Sequence, residues 1–407
     1  MILDKIEISK CNGCTACSSI CPKHCIEMKA NEDGFLYPIV NKDNCISCNL
    51  CDKVCPVNNE IKLNDVPNAY AAINKKEEER LQSSSGGVFS LIANYILDKN
   101  GYVVGAAYND KFEVEHIIID SKEELHKLRG AKYSQSRLGN VFGKIKELLD
   151  TDHYVLFSGT PCQTGGLKYY LRKDYEKLVL IDTVCHGVPS PLVWKKYIEY
   201  RSKTDNKGEI PISINLRSKS SGWSRYNYSI EFDYGKKLYS KVNGQDPYMK
   251  AFVGNYCLRE SCYDCSFKST QRVSDFTLGD YWGIWNQNPE MDDNKGTSLL
   301  LVHSIKGNKI LEAISNQLDF VQVDLDESIK ENPSMIKSSP INKDRSAFID
   351  TICKAGFKQS IKNMNYLLRC LKEKRLNKFY LDLNRNLKYY KMGDINTYET
   401  IRFEIIE

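Results

Sequence analysis

Long apolar runs are missing from this 407-residue chain. No stretch approaches the roughly 20 consecutive apolar residues needed to cross a bilayer. The opening MILDKIEISK also lacks the apolar centre of a secretion signal. These two absences lead to the expectation of a cytoplasmic protein without a membrane span. No recognisable nucleic-acid module is present, so nucleic acid is not an expected partner. Low-complexity tracts are absent, and so are internal repeats, apart from one doubled cysteine motif. Charge of one sign is scarce overall, with a formal net of only +5. The excess that exists is local. Between Lys354 and Lys391 eleven Lys or Arg stand against Glu373 and Asp382, a balance of +9 that leaves −4 for the rest. Such a segment reads either as the solvated face of a helical pair or as a docking surface for an acidic partner such as an electron carrier.

Cysteine, in contrast, is abundant, with 16 residues. In a reducing compartment that number argues for metal ligands over disulfides. Eight of the cysteines form two runs of the pattern C-x2-C-x2-C-x3-C-P. They are Cys11, Cys14, Cys17 and Cys21 before Pro22, and Cys45, Cys48, Cys51 and Cys55 before Pro56. Three thiolates at this spacing wrap one face of a cubane, and the fourth reaches the other cluster. The spacing therefore predicts one 4Fe-4S cluster on Cys11, Cys14, Cys17 and Cys55, and a second on Cys45, Cys48, Cys51 and Cys21. A disulfide framework does not explain a doubled spacing with proline after each fourth cysteine. Clusters that oxygen attacks imply an anaerobic or low-oxygen setting. Cys25 lies outside the pattern and reads as a spare buried thiol. The stretch resembles a bacterial two-cluster ferredoxin.

The length leaves room for two or three domains. After Pro56 the apolar-poor VNNEIKLNDVPN reads as a linker that wraps onto a domain beginning near Ala69. Strands are expected over 102–108, 112–119, 154–157 and 178–182, and helices over 88–97, 138–149, 167–172 and 192–201. A short helix, opened by a capping box of Ser121 and Glu124, is expected to end near Leu128. This alternation predicts an α/β unit with a mostly parallel sheet. Beyond Pro211 three alternating segments, ISINLR, YNYSIEF and KLYSKV, predict an antiparallel insertion, and the last fifty residues read as helical.

The later cysteines suggest another site. Cys262-x2-Cys265 has metal-ligand spacing, Cys162 lies at a strand-to-helix turn, and Cys185 ends the next strand, so a parallel sheet brings the latter two to one carboxyl edge. A third 4Fe-4S cluster on Cys162, Cys185, Cys262 and Cys265 follows, with Cys257 in reserve. Buried thiols with a structural zinc are the alternative. Neighbouring side chains on a strand point apart, so Cys185 and His186 do not read as a catalytic dyad. The turn Ser83–Gly87 before a helix could cradle an anion. Lys127, Arg129 and Lys132 with Tyr133 suit a pyrophosphate and a flat ring, although a capped helix and a solvated loop explain the same residues.

The ordered set SSSGGVFS, GAKYSQS, SGTPCQTGGLKYYL, DTVCHGVPSP, RESCYDCSFK and GDYWGI resembles the family of beta subunits of coenzyme F420-reducing hydrogenases and dehydrogenases, in its ferredoxin-fused bacterial branch. The resemblance implies a mixed α/β domain over 63–350 that binds FAD and a 4Fe-4S cluster, between a ferredoxin domain over 1–62 and a basic helical segment over 351–407. It makes Ser85, Gly86, Gly87, Lys132, Tyr133 and Ser136 flavin-binding candidates, and places Gly279, Asp280, Tyr281 and Trp282 near the same site. The implied activity is an oxidoreductase that passes electrons between clusters, FAD and a hydride-accepting or hydride-donating small molecule. Its redox partner is a ferredoxin or another redox protein. A non-catalytic electron-transfer component is the alternative. No residue is specific to F420, and no acid-base residue is assigned beyond His186 and Lys132 as the nearest candidates.

Overall fold

The computed structural model describes residues 7–60, 62–224 and 227–365. Its N-terminal module is small. Two short helices, Ala16–Ile20 and Leu50–Lys53, each follow a cysteine loop, and a hairpin of β1 (Ile26–Ala30) and β2 (Leu36–Val40) lies between them. The doubled sequence motif is doubled in the backbone as well. Gly13 and Ser47 take left-handed φ angles of 68° and 52°, and Thr15 and Asn49 take 62° and 58°, at matching places in the two loops. Three of these four are not glycine, a local cost that recurs where loops must wrap a ligand.

The remainder is built on one eight-stranded sheet. In chain order its strands are β3 (Asn68–Asn74), β4 (Tyr102–Tyr108), β5 (Val114–Ile119), β6 (Val155–Gly159), β7 (Leu178–Thr183), β11 (Phe276–Asp280), β12 (Ser298–Val302) and β13 (Leu318–Val323). In space they run β13-β3-β12-β11-β7-β6-β4-β5. Strands β4, β6, β7 and β11 are mutually parallel, and every other pairing is antiparallel. The expectation of a mostly parallel sheet is therefore corrected: a parallel centre carries antiparallel flanks. Strands β3 and β13 carry no clear alternation in sequence, because β3 is buried along most of its length by neighbours on both sides. Strands β8 (Ser213–Ser218), β9 (Ser229–Asp233) and β10 (Leu238–Val242) form the separate antiparallel sheet expected beyond Pro211.

Alternate side chains of the central strands enter two cores. Val103, Leu156, Val179 and Phe276 face the helix Val88–Leu97. Val104, Val155, Phe157 and Leu180 face Phe142, Ile145 and Leu167. Cys14, Ala16 and Val54 of the N-terminal module belong to that second core, so the module is packed into the sheet's helical layer. Several helix boundaries differ from expectation, among them those of Val141–Asp150, which begins three residues late, and Pro191–Asp205, which ends four residues late. The helix after β6 begins at Pro161, not near 167, because Thr160 and Gln163 close a capping box and proline is preorganised for the first helical position. The short helix Leu125–Leu128 has Glu124 at its N-cap and no side-chain cap, so the Ser121 capping box does not form. Residues 345–365 are helical, but most of the basic Lys354–Lys391 segment lies outside the described residues, as does Cys370. Among the described residues no helix is long and apolar enough to cross a membrane.

Candidate functional site

The two N-terminal cysteine runs exchange their fourth members. One cavity is lined by Cys45, Cys48 and Cys51 of the second run together with Cys21 and Cys25 of the first. Cys11, Cys14, Cys17 and Cys55 form the other group: burial raises the thiol pKa of Cys14, Cys17 and Cys55, and Cys11 acts electrostatically on each of the three. Cys25 is buried as expected, and its Sγ stands 3.3 Å from that of Cys21. The helices of five and four residues are too short to bring four thiols together unaided. Left-handed residues precede both helices, and in the first loop the backbone N–H groups of Ala16 and Ser18 face the sulfurs of Cys14 and Cys17.

The four later cysteines assemble from three distant segments. Gly159 at the end of β6 is in register with Asp182 near the end of β7. Cys162 and Cys185 therefore leave the same sheet edge three residues further on, Cys162 in the first turn of the helix Pro161–Leu171. The three-residue 3₁₀ turn Glu260–Cys262 carries Cys262, and Cys265 follows. All four line one cavity, with Asn12, His186, Arg259, Lys268 and Arg272 around them. Burial pushes the Cys185 thiol up to about 11 and Cys262 to about 12, and it raises Cys162. Such thiols stay protonated until a metal group takes their protons' place. Among the described residues no three His, Cys, Asp or Glu side chains are placed to hold a single metal ion. Asn12 is buried, and its Nδ2 donor has no partner although it borders this cavity. A buried amide donor without an acceptor is costly, and an anionic, sulfur-rich group in the cavity would satisfy it. Cys257 does not take part: it is fully buried among Tyr248, Phe252 and Leu258 in another core cluster. His186 turns away from Cys185, with Nε2 2.7 Å from Asn255 Oδ1 and Nδ1 3.4 Å from Ser334 Oγ.

The segment Lys132–Ser136 joins the two cysteine regions. Gln135 donates through Nε2 to the carbonyl of Asn12 at 3.0 Å and through its backbone N–H to Pro189. Ser136 Oγ accepts from Gln163, the neighbour of Cys162, at 2.9 Å. Arg259, with 1% of its surface exposed, donates to the carbonyls of Cys11 and Leu36 at 2.6 and 3.0 Å and to Gln135 Oε1 at 2.9 Å. A Cβ on Gly166 would stand 2.7 Å from the Cβ of Cys14, so this glycine lets the first cysteine loop lie directly on the helix that begins with Cys162.

Tyr133 faces the other way, toward a cluster that sequence reading finds only in part. Arg217 interacts with the Tyr133 hydroxyl and pairs with Asp280 at 2.8 Å, and Ser85 lies beside the Asp280 carboxylate. Trp223 stacks on Trp282 at 4.7 Å and donates to the carbonyl of Ser84 at 3.0 Å. Lys219 donates to the carbonyl of Ser85 at 2.8 Å, and burial drops its pKa to about 7. Arg217, Lys219 and Trp223 come from the antiparallel insertion, whose alternating pattern gives no hint that its β8 end folds back over the main domain. The Ser85–Gly87 turn is less open than expected. Gly86 donates to Ser298 Oγ at 2.9 Å, Ser85 Oγ donates to Thr297 O, and a Cβ on Gly86 would meet the Ala72 carbonyl at 2.3 Å. Lys132 Nζ is tied to the carbonyls of Lys127, Arg129 and Gly130, and burial lowers it to about 7. Close by, Tyr108 Oη, Ser134 Oγ, His116 Nδ1 and Arg217 Nε are buried without hydrogen-bond partners, polar groups that a polar ligand would satisfy.

Comparison with known proteins places these sites in context. A family model for the N-terminal part of "Coenzyme F420 hydrogenase/dehydrogenase, beta subunit" matches residues 69–142, and its companion, for the C terminus, matches residues 152–327. A "4Fe-4S dicluster domain" matches residues 10–59. The chain is 27% identical over 189 residues to the F subunit of F(420)H(2) dehydrogenase from Methanosarcina mazei, a match covering 44% of this chain and 54% of that protein. The chain thus matches about half the length of this curated relative. A chain of the F420-reducing [NiFe] hydrogenase complex from Methanosarcina barkeri superposes with a TM-score of 0.48 and 15% identity, covering 72% of this chain and 94% of that one.

Proposed function

We propose a function for this chain on the premise that it belongs to the family of coenzyme F420 hydrogenase/dehydrogenase beta subunits and carries a 4Fe-4S dicluster domain at its N-terminal end. It acts as an iron-sulfur flavoprotein oxidoreductase of a low-oxygen cytoplasm, working with a ferredoxin-like redox protein or within a larger hydrogenase-like or dehydrogenase-like assembly. Cys11, Cys14, Cys17 and Cys55 hold one 4Fe-4S group, and Cys45, Cys48, Cys51 and Cys21 hold a second. Cys162, Cys185, Cys262 and Cys265 hold a third. FAD lies where Ser85, Lys132, Tyr133, Asp280 and Arg217 come together.

One observation carries this reading: the segment Lys132–Ser136 touches all three regions within five residues. Clusters exchange single electrons, whereas a flavin, when bound, supplies two-electron hydride chemistry. The residues of the chain hold these groups in series and keep water away. Exposed Cys48 marks the end that meets a partner, and Cys14 is buried against the Cys162 helix. Arg217 and Lys219 offer cations to a pyrophosphate, and Tyr133 and the Trp223–Trp282 pair offer flat faces to a ring.

The test is anaerobic purification of the full chain, with flavin extracted and counted, followed by turnover of candidate hydride acceptors with reduced viologen. About one FAD per chain with turnover is the expected result. Iron without flavin after reconstitution would leave the chain as an electron relay and contradict the flavoprotein reading.

A further inference from the structure

The two cysteine regions differ in the charges built around them. Three cations border the inner four-cysteine cavity, Arg259, Lys268 and Arg272, and no carboxylate among the described residues lines it. Arg259 is satisfied by neutral acceptors, the carbonyls of Cys11 and Leu36 and the amide of Gln135. Lys268 donates to the carbonyls of Cys185 and Ser334, again neutral. Arg272 alone has an acidic partner, with Nε 3.6 Å from Asp182 Oδ2. The N-terminal module has the opposite character. Both carboxylate oxygens of Asp52 are buried without a hydrogen-bond partner, and the residue acts electrostatically on Cys55. The cation lining the outer cavity, Lys23, is exposed to solvent. Burying cations against neutral groups is expensive unless an anion completes the site. A cluster held by four thiolates is such an anion, and it gains one further negative charge on reduction. Nearby cations favour the reduced form and a nearby carboxylate opposes it.

We propose that Arg259, Lys268 and Arg272 make the inner cavity the electron sink among the clusters of the chain, while Asp52 holds the N-terminal cluster that Cys55 ligates at lower potential. This rests on the reading of Cys162, Cys185, Cys262 and Cys265 as ligands of a third 4Fe-4S group. The step is a transfer of one electron: an N-terminal cluster is oxidised by one, the inner cluster is reduced by one, and no bond or proton changes hands. Arg259 does more than supply charge, because it also clamps the Cys11 loop beside the cavity and so sets the gap the electron crosses.

The experiment is a stepwise anaerobic reductive titration of the full holo chain with dithionite, followed by electron paramagnetic resonance, after the iron count has been measured. The Cys262→Ser variant identifies the inner signal as the one it loses. In the unaltered chain that signal is expected to appear first as the potential falls. Lys268→Gln should weaken electron capture there about tenfold, which is 59 mV for one electron. Arg259→Gln should act in the same direction and Arg259→Lys should restore most of the shift. Asp52→Asn should ease reduction of an N-terminal signal and leave the inner one in place. Should Arg259→Gln fail to fold, Lys268→Gln carries the test. About twelve irons with the inner signal appearing last, or unmoved within twofold by Lys268→Gln, overturns the proposal alone. About eight irons overturns it together with the three-cluster reading.

Discussion

The N-terminal module and the inner cavity use the same ligand, four cysteines each time, and reach it by opposite routes. The module gathers eight thiols from forty-five consecutive positions, 11 to 55, with left-handed loop residues and very little regular structure. The inner cavity takes two cysteines from the carboxyl edge of neighbouring parallel strands and two from a turn about eighty residues later. Local spacing makes the first, and sheet register makes the second. A site of the first kind tolerates changes in the rest of the fold, whereas one of the second kind depends on the whole domain.

Ligand removal gives the largest expected effect and can break that distinction. Cys185→Ser should abolish the inner cluster and leave both N-terminal signals intact. Cys55→Ser should strip the cluster shared with Cys11, Cys14 and Cys17, even though it lies in the other run, and leave the one on Cys45, Cys48 and Cys51. Loss of the wrong partner signal, read by electron paramagnetic resonance, would refute the crossed assignment.

Acid should separate the regions next, because the main domain buries neutral histidines, His116 and His303, and the module does not. Burial lowers His116 from its usual value near 6.5 to about 4. Its folded form therefore binds fewer protons than the unfolded chain below about pH 6.5. Stability is fully present above that value and is lost as pH falls toward 4, by on the order of 3 kcal/mol. His116→Gln should make the acid limb of the thermal midpoint against pH shallower, with buried His303, lowered to about 3, still contributing, and an unchanged limb would contradict the assignment.

How the regions are joined can be sharpened with two smaller changes. Gly166→Leu forces a side chain into the space held by Cys14 and should cost about 3 kcal/mol, seen as a lower thermal midpoint and earlier proteolytic cleavage between the module and the sheet. Arg345→Ala removes the 2.6 Å pair with Asp33 beside the β1–β2 hairpin and the bond to the Leu258 carbonyl. It should cost roughly 2 kcal/mol in denaturant unfolding, with the inner cluster retained.

Sequence alone discloses one region far more fully than the other. The eight N-terminal ligands and their crossing follow from spacing, since each contact is local. Cys162, Cys185, Cys262 and Cys265 are also legible, two from strand ends and two from a C-x2-C pair, and the structure brings all four to one cavity. Arg259 is not, because its role depends on Cys11, Leu36 and Gln135 converging from three segments, and a lone arginine carries no periodic signature. Arg217 and Trp223 are hidden for the same reason. The Ser85–Gly87 turn is recognisable, but its glycine at 86 answers chiefly to the nearness of Ala72 and Ser298, a packing demand that no local pattern encodes. Strand β3 escapes notice because buried strands lose the alternation by which strands are read.

Iron and acid-labile sulfide counted on the anaerobically purified chain, beside a Cys262→Ser/Cys265→Ser variant, test the central claim most directly. Three clusters predict about twelve irons in the unaltered chain and about eight in the variant. About eight in both would contradict the account and return the four inner cysteines to the status of buried thiols.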